Sequence, residues 1–209
     1  MLDEAARARG EENTKKLIIE KATDYFLNYG FPNTTTQQIA TDLEISKKTL
    51  YKYFPSKEHL LQAVLETIKL DLEARIVSLV ANPTLSFVDK LKELIQIIGS
   101  HNARLTPQFC RDIEKIQPDH SRSEMVFLTR ILPHVEKLIG EGANQGMIRG
   151  DINLRLILLT VAATVERMMA HGSTARNEFS IPDILDAIPR IFTEGILTPQ
   201  ARALYEAGK

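Results

Sequence analysis

Between Ile45 and Leu61, in ISKKTLYKYFPSKEHLL, Lys47, Lys48, Lys52 and Lys57 stand among Tyr51, Tyr53 and Phe54, and no Asp or Glu occurs before Glu58. A solvated helix face usually interleaves both signs of charge, so the single sign sets this run apart. Ammonium groups donate to phosphate oxygens and to the O6 and N7 acceptors of guanine, and Thr49 adds a hydroxyl. The chemistry on offer is recognition of an anionic, acceptor-rich surface, and duplex DNA is the matching class of partner. The property is local: 26 Lys and Arg against 27 Asp and Glu leave the 209-residue chain near neutrality.

Those side chains act together only if a short helix turns them to one side. Periodicity along the chain is helical, with no convincing alternating strand, so the expected fold class is all-α. Ile18, Ala22, Tyr25, Phe26 and Tyr29 recur at helical spacing, and Gly30 with Pro32 stops that helix. Thr35 and Gln38 have the spacing of a capping box that opens a second, short helix with Ile39, Ala40 and Leu43 on its apolar side. Ser46 reads as the N-cap of a third helix reaching to about Tyr53, with Ile45 and Leu50 inward. After Pro55, Ser56 caps a long fourth helix with Leu60, Leu61, Val64, Leu65 and Ile68 on one face. The second and third helices, joined by Glu44-Ile45-Ser46, form a helix-turn-helix candidate, in which the later helix enters the major groove and the earlier one crosses the backbone. Leu50 and Phe54 supply its packed side; Lys47, Lys48, Thr49, Tyr51 and Lys52 lie around the rest.

The spacings extend over nearly the whole N-terminal quarter. Ile18, Ala22, Phe26 and Gly30 mark the first helix, and Thr35, Ile39 and Ala40 the second. Ile45, Ser46, Thr49, Leu50, Tyr51, Phe54, Lys57 and Leu60 continue the pattern. With these matches, the stretch from about Asn13 to Leu61 resembles the DNA-binding domain of the TetR family of bacterial transcriptional repressors. The resemblance implies a helix-turn-helix domain at residues 13–61, an N-terminal tail at 1–12, and a helical effector-binding and dimerisation domain at 62–209. The boundary falls at the long fourth helix, since no flexible linker separates the two parts.

Roles follow from the same resemblance. Thr35 and Thr36 would present hydroxyls and helix N-terminal amides to a phosphate. Gln37 would reach a base edge, and Lys47, Lys48 and Thr49 would face the groove. Tyr51 and Tyr53 would contact the backbone, with Tyr51 also touching a thymine methyl, and Lys57 would anchor another phosphate. Ser46 and Lys52 complete the expected set of DNA contacts. Two positions depart from the family pattern. Glu44 stands where glycine is frequent in the turn, so the turn must manage an ordinary residue or some strain, and its carboxylate should point away from phosphates. Lys48 stands where glycine is common two residues after the serine cap, which adds a groove-facing cation.

Beyond Ala81 the helices lengthen and no specific motif appears. Helices are expected over Leu85 to Ser100, about Arg104 to Ile116, and about Ser121 to Gly142, the last kinked by Pro133. Asn153 to Ala170 and a final helix from Pro182 to Leu197 follow. The resemblance implies that these last two long helices pack against their mates in a homodimer, whose twofold symmetry suits a palindromic operator. Ala162, Ala163 and Thr164 are small enough for close approach, with Ile184, Leu185, Ile188, Ile191 and Phe192 as partner surface. Leu105, Phe109, Phe127, Ile131, Thr164 and Met168 are candidate lining for a small-molecule effector, although plain core is the ordinary reading of each. His101, Arg104, Arg111, Glu166 and Arg167 are candidate polar groups; Glu166 and Arg167 interrupt an apolar helix and require a partner or water.

An enzyme is the competing class. His59, His101, His120, His134 and His171 form no pair at i, i+3 or i, i+4, and neither Glu-x-x-His, a Gly-rich phosphate loop nor a nucleophile elbow occurs. His120 and Glu124 share a helical face, as such pairs often do by chance. No cofactor or metal is expected, and the single Cys110 excludes an intramolecular disulfide. The start of the chain lacks a signal-peptide pattern, and the run Leu156 to Val165 is too short to span a bilayer, so a cytoplasmic protein with no membrane partner is expected. The reading is a DNA-binding transcriptional regulator, ligand-responsive and repressing; the alternative is a helical adaptor or an enzyme without recognisable motif.

Overall fold

A computed structural model describes residues 2–116, 120–151, 153, 155–156, 159–160 and 195–207. Among the described residues there are eight helices: α1 (Leu2–Tyr29), α2 (Thr36–Asp42), α3 (Lys47–Tyr53), α4 (Lys57–Ala81), α5 (Phe87–Arg104), α6 (Pro107–Ile116), α7 (His120–Asn144) and α8 (Pro199–Ala207). The extended pairing among them is an isolated antiparallel bridge between Ile148 and Leu197. The protein is all-α, as its periodicity predicts. The segment read as an N-terminal tail is the beginning of α1. The chain divides into two compact units, Met1–Leu70 with Gln108–Ile116, and Asp71–Pro107 with Gln117–Lys209.

In the first unit the spacing seen in the sequence becomes one packed face. Ile18, Ala22 and Phe26 of α1, Ile39 and Ala40 of α2, Leu50 of α3, and Leu60, Leu61 and Val64 of α4 are fully buried. Phe109 and Ile113 of α6 are buried in the same unit. Each large apolar side chain taken out of water here contributes about 1.5–3 kcal/mol relative to exposure. Gly30 ends α1 in the left-handed region at φ 79°, donating its N–H to the Phe26 carbonyl at 3.1 Å. A side chain is strained in that conformation, which is why glycine serves as this stop.

The second unit buries Leu72, Ile76 and Leu79 of α4 against α5 residues such as Phe87, Leu91 and Leu94, and against Leu138 and Ile139 of α7. Lys90 is buried among them. Its Nζ donates to the Val80 carbonyl at 3.3 Å and to Glu141 Oε2 at 2.9 Å. Val80 lies in the last turn of α4, where carbonyls lack helical partners and a cation meets the favourable end of the helix dipole. At the end of α7, Gly146 (φ 66°) donates to the Ala143 carbonyl and Met147 to that of Gly142, at 3.0 and 2.9 Å. That is a Schellman stop. The chain after it pairs with the segment before α8, through Arg149 N–H to the Ile196 carbonyl at 2.9 Å and Thr198 N–H to that of Met147 at 3.0 Å.

One expectation needs correction. The helix predicted to end the chain at Leu197 is not the last one, because α8 follows it. Thr198 accepts the Ala201 N–H on its hydroxyl at 3.3 Å, and Pro199 occupies the first helical position. Thr-Pro is a helix-start signal that the apolar run beside it masked. The expected segments at 153–170 and 182–197 lie almost wholly outside the described residues.

Among the described glycines, Gly142 has the least room for a side chain. A Cβ built there would come within 2.4 Å of the Phe87 ring, which is fully buried. Gly142→Ala should therefore destabilise the protein by about 1–3 kcal/mol in urea unfolding. In a Phe87→Ala background that cost should vanish, a coupling that a double-mutant cycle reads directly.

Candidate nucleic-acid interface

The site is built from backbone capping outward. Thr35 is the N-cap of α2, its hydroxyl accepting the Gln38 N–H at 3.2 Å while the Gln38 side chain accepts the Thr35 N–H at 2.8 Å. The capping box expected from the spacing is present. At the other end of α2, Glu44 donates its N–H to the Thr41 carbonyl and Ile45 to that of Ala40, both at 3.0 Å. This is again a Schellman stop, and its left-handed residue is Glu44, at φ 55°. The turn thus keeps the conformation that favours glycine while carrying a side chain, which costs about 1–2 kcal/mol for an L-residue. Glu44 is exposed. The chain then enters α3 with Ser46 as N-cap, accepting the Thr49 N–H at 2.9 Å.

From this turn α3 presents two distinct sides. Leu50 and the C-cap Phe54 are buried, whereas Ser46, Lys47, Lys48, Tyr51 and Lys52 are exposed and Thr49 and Tyr53 half-buried. Thr35 and Gln37 of the α2 start are exposed as well, with Gln37 Nε2 donating to Thr41 Oγ1 at 3.3 Å. No acidic residue stands in the first turn of α2 or of α3. Asp42 at the end of α2 is drawn toward α1, accepting from the Tyr25 hydroxyl at 2.9 Å and lying 3.8 Å from Lys21 Nζ. The Asp42 carboxylate holds the Tyr25 phenol above its ordinary range.

Four of the expected contact residues, Thr36, Lys47, Lys52 and Lys57, have partners within the described protein. Thr36 is buried, its hydroxyl 3.1 Å from that of Tyr51, so it aims the Tyr51 ring instead of facing solvent. Lys47 Nζ sits over that same ring, 5.7 Å from its centroid. Lys52 pairs with Glu11 at 2.7 Å, and the Glu11 side chain, by hydrogen bonding and charge, holds the lysine above its usual range. Glu11 lies 41 residues upstream of Lys52, and no spacing rule could have found it. Lys57 turns to the Phe31 carbonyl.

Of the six residues named as lining for an effector pocket, the side chains of Leu105, Phe109 and Ile131 are described. Leu105 is half-buried in the second unit, and Ile131 is part of that unit's core. Phe109 is core of the first. The side chains of Phe127 and Arg111, and residues Thr164, Met168, Glu166 and Arg167, lie outside what is described. An open cleft of about 520 Å³ in the second unit is lined by Arg75, Asp89, Lys92, Glu93, Gln96, Ile97 and Ser100, none of them in the expected set.

A model of the family described as bacterial regulatory proteins, tetR family, matches residues 18–64. The chain is 28% identical over 203 residues to the HTH-type transcriptional regulator RutR of Escherichia coli (strain K12), spanning 91% of this chain and 93% of that one. It is 24% identical over 184 residues to the HTH-type transcriptional repressor DhaR of Mycobacterium sp. (strain GP1), spanning 82% and 88%. A solved transcriptional regulator from Cytophaga hutchinsonii ATCC 33406 shares the fold at a TM-score of 0.67 and 22% identity, over 88% of this chain and 98% of that one. No described helix is long and apolar enough to cross a membrane. Fold, site and relatives together define a helix-turn-helix, DNA-binding transcriptional regulator. The helix-turn-helix domain at residues 18–64 is of the tetR family of bacterial regulatory proteins.

The strained turn and the shielded lysine each yield a measurable outcome. Glu44→Gly should raise stability by about 0.5–1 kcal/mol in thermal or urea unfolding, and Glu44→Val should lower it, because only the glycine is at ease at this φ. Glu11→Gln should free Lys52 and tighten DNA binding at low salt. The slope of log affinity against log salt should steepen by up to about 0.9 in the same titrations.

Proposed function

We propose that the protein binds a palindromic DNA operator as a homodimer and represses transcription until a small-molecule effector releases it. The observation that carries the reading is α3 itself: an outer side with the exposed Lys47 and Lys48 and the half-buried Thr49, a packed side with Leu50 and Phe54, and no acid between them. In this reading Lys47, Lys48 and Thr49 read base edges in the major groove. Gln37 reaches a further base edge, and Thr35, Ser46, Tyr51, Lys52 and Tyr53 hold the flanking backbone and set the register. Repression is supported by the likeness to DhaR, itself a transcriptional repressor. A DNA target also places the protein in the cytoplasm, and no enzymatic role is proposed.

Dimerisation enters because half-sites one helical turn apart, about 34–36 Å, require two recognition helices related by a twofold. An effector that changes their separation by a few ångströms loses base contacts at both half-sites together. It need only prefer the released state by about 1–3 kcal/mol, the usual range of such couplings. The dimer surface is assigned to the last two long helices, and the effector site to the larger unit.

Selection of binding sites from random duplexes tests the reading. A palindrome should emerge, with affinity falling steeply with salt as counterions are released; a flat salt response would sink DNA binding. Lys48→Ala should reduce the salt slope by about 0.9 and change the preferred base at one position of each half-site. Light scattering should give a dimer, and a monomer on the operator would remove the release mechanism.

A further inference from the structure

Thr36 opens α2 without capping it, since the capping box is made by Thr35 and Gln38. It shares the inward stripe of that helix with Ile39 and Ala40, and all three are buried. A hydroxyl on such a stripe costs stability unless it is hydrogen-bonded, and valine offers the same shape without that demand. Thr36 meets the Tyr51 hydroxyl, 3.1 Å away on α3.

Tyr51 follows the fully buried Leu50 and is itself 38% exposed, so its ring stands between the packed and outer sides of α3. Lys47 lies four residues earlier, on the same face of the helix, with Nζ 5.7 Å from the ring centroid. An ammonium is attracted to an aromatic face at that range. The tie from its hydroxyl to α2 restrains the direction of the tyrosine ring. The ring in turn narrows the positions open to the ammonium at the end of a flexible lysine stem. Thr36, Tyr51 and Lys47 thus form one line from the buried interior to the exposed side of α3. Lys48, the next residue, is exposed with no such ring beneath it among the described residues.

We infer that Thr36 is a positioning residue for base readout: its buried hydroxyl fixes the Tyr51 ring, and the ring fixes the ammonium of Lys47. The preference at the base that Lys47 meets is then set in part from inside the fold, two contacts away from the base. A phosphate contact by the Tyr51 hydroxyl is compatible with this, because a hydroxyl both donates and accepts. The inference rests on the reading of Lys47 as a base contact; the link from Thr36 to Lys47 does not.

Site selection from random duplexes, run on the full-length protein and its variants, tests the inference. The position to follow in each half-site is the one whose preference Lys47→Ala abolishes. Thr36→Val and Tyr51→Phe should each lower discrimination there by about two- to five-fold, and combining them should lower it no further. Thr36→Ser keeps the hydroxyl and should retain the parental preference. The position altered by Lys48→Ala should stay unchanged, as should the salt slope, because no cation is removed. A parental preference in Thr36→Val overturns the inference, and so does Lys47→Ala selecting the parental site. An equal loss at the Lys48 position also overturns it, since α3 as a whole would then be loosened. In the DNA-free protein the Tyr51 ring current should shift the Lys47 side-chain proton resonances upfield. Thr36→Val should move them toward those of Lys48, and unmoved resonances overturn the link. If the parent selects no site, the DNA-binding reading falls, and these resonances still decide the link.

Discussion

The reversal between α2 and α3 requires one residue in the left-handed region, and the rest of the reading head depends on it. The carbonyls of Ala40 and Thr41 can be satisfied by the next two N–H groups only if position 44 turns with positive φ. That turn sets the direction in which α3 leaves, and so decides that Leu50 points inward and Lys47 and Lys48 outward. Glu44 meets the demand with a side chain attached, so the protein carries strain at the hinge of its recognition element. The capping box at Thr35 and the Ser46 cap stand on either side of it and hold both short helices to register. Helices of this length have little stability alone, and their caps and buried faces supply what length does not.

Charge on this surface is divided by partner more than by position. Lysines that look equivalent along the chain meet different environments: Lys48 is exposed, Lys47 leans on an aromatic face, Lys52 is paired to an acid, and Lys57 is turned into the fold. A chain with nearly balanced total charge can present a cationic face because its acids are drawn elsewhere, as Asp42 is by Tyr25 and Lys21. The local potential at the exposed side of α3 is thus a product of tertiary pairing and not of composition.

What was legible in the sequence was whatever is governed by neighbours a few residues apart. The Gly30 stop, the Thr35–Gln38 box, the Ser46 cap and the burial of Ile18, Ala22, Phe26, Ile39 and Leu50 all follow from local spacing, and all are found. The partners of Lys52 and Lys57 lie 41 and 26 residues away, and no periodic pattern encodes them. The family resemblance implies a phosphate-facing hydroxyl at Thr36, but that side chain is buried beside Tyr51. The Thr198-Pro199 start of α8 is a local signal, but it directly follows an apolar run whose own periodicity ends at Leu197. No local pattern separates pocket lining from core, since an apolar side chain carries no mark of either.

The first unit is not one continuous length of chain. Residues 1–70 build most of it, but Phe109 and Ile113 come from Gln108–Ile116, inserted after a long excursion through the other unit. An N-terminal fragment cut anywhere before α6 would leave the places of those two side chains empty. Evolutionary shuffling that swaps reading heads among relatives faces the same condition: the head has to travel with a distant short helix, or be repacked without it. A module of this kind is inherited less as a detachable bead than as a splice of two strips of sequence.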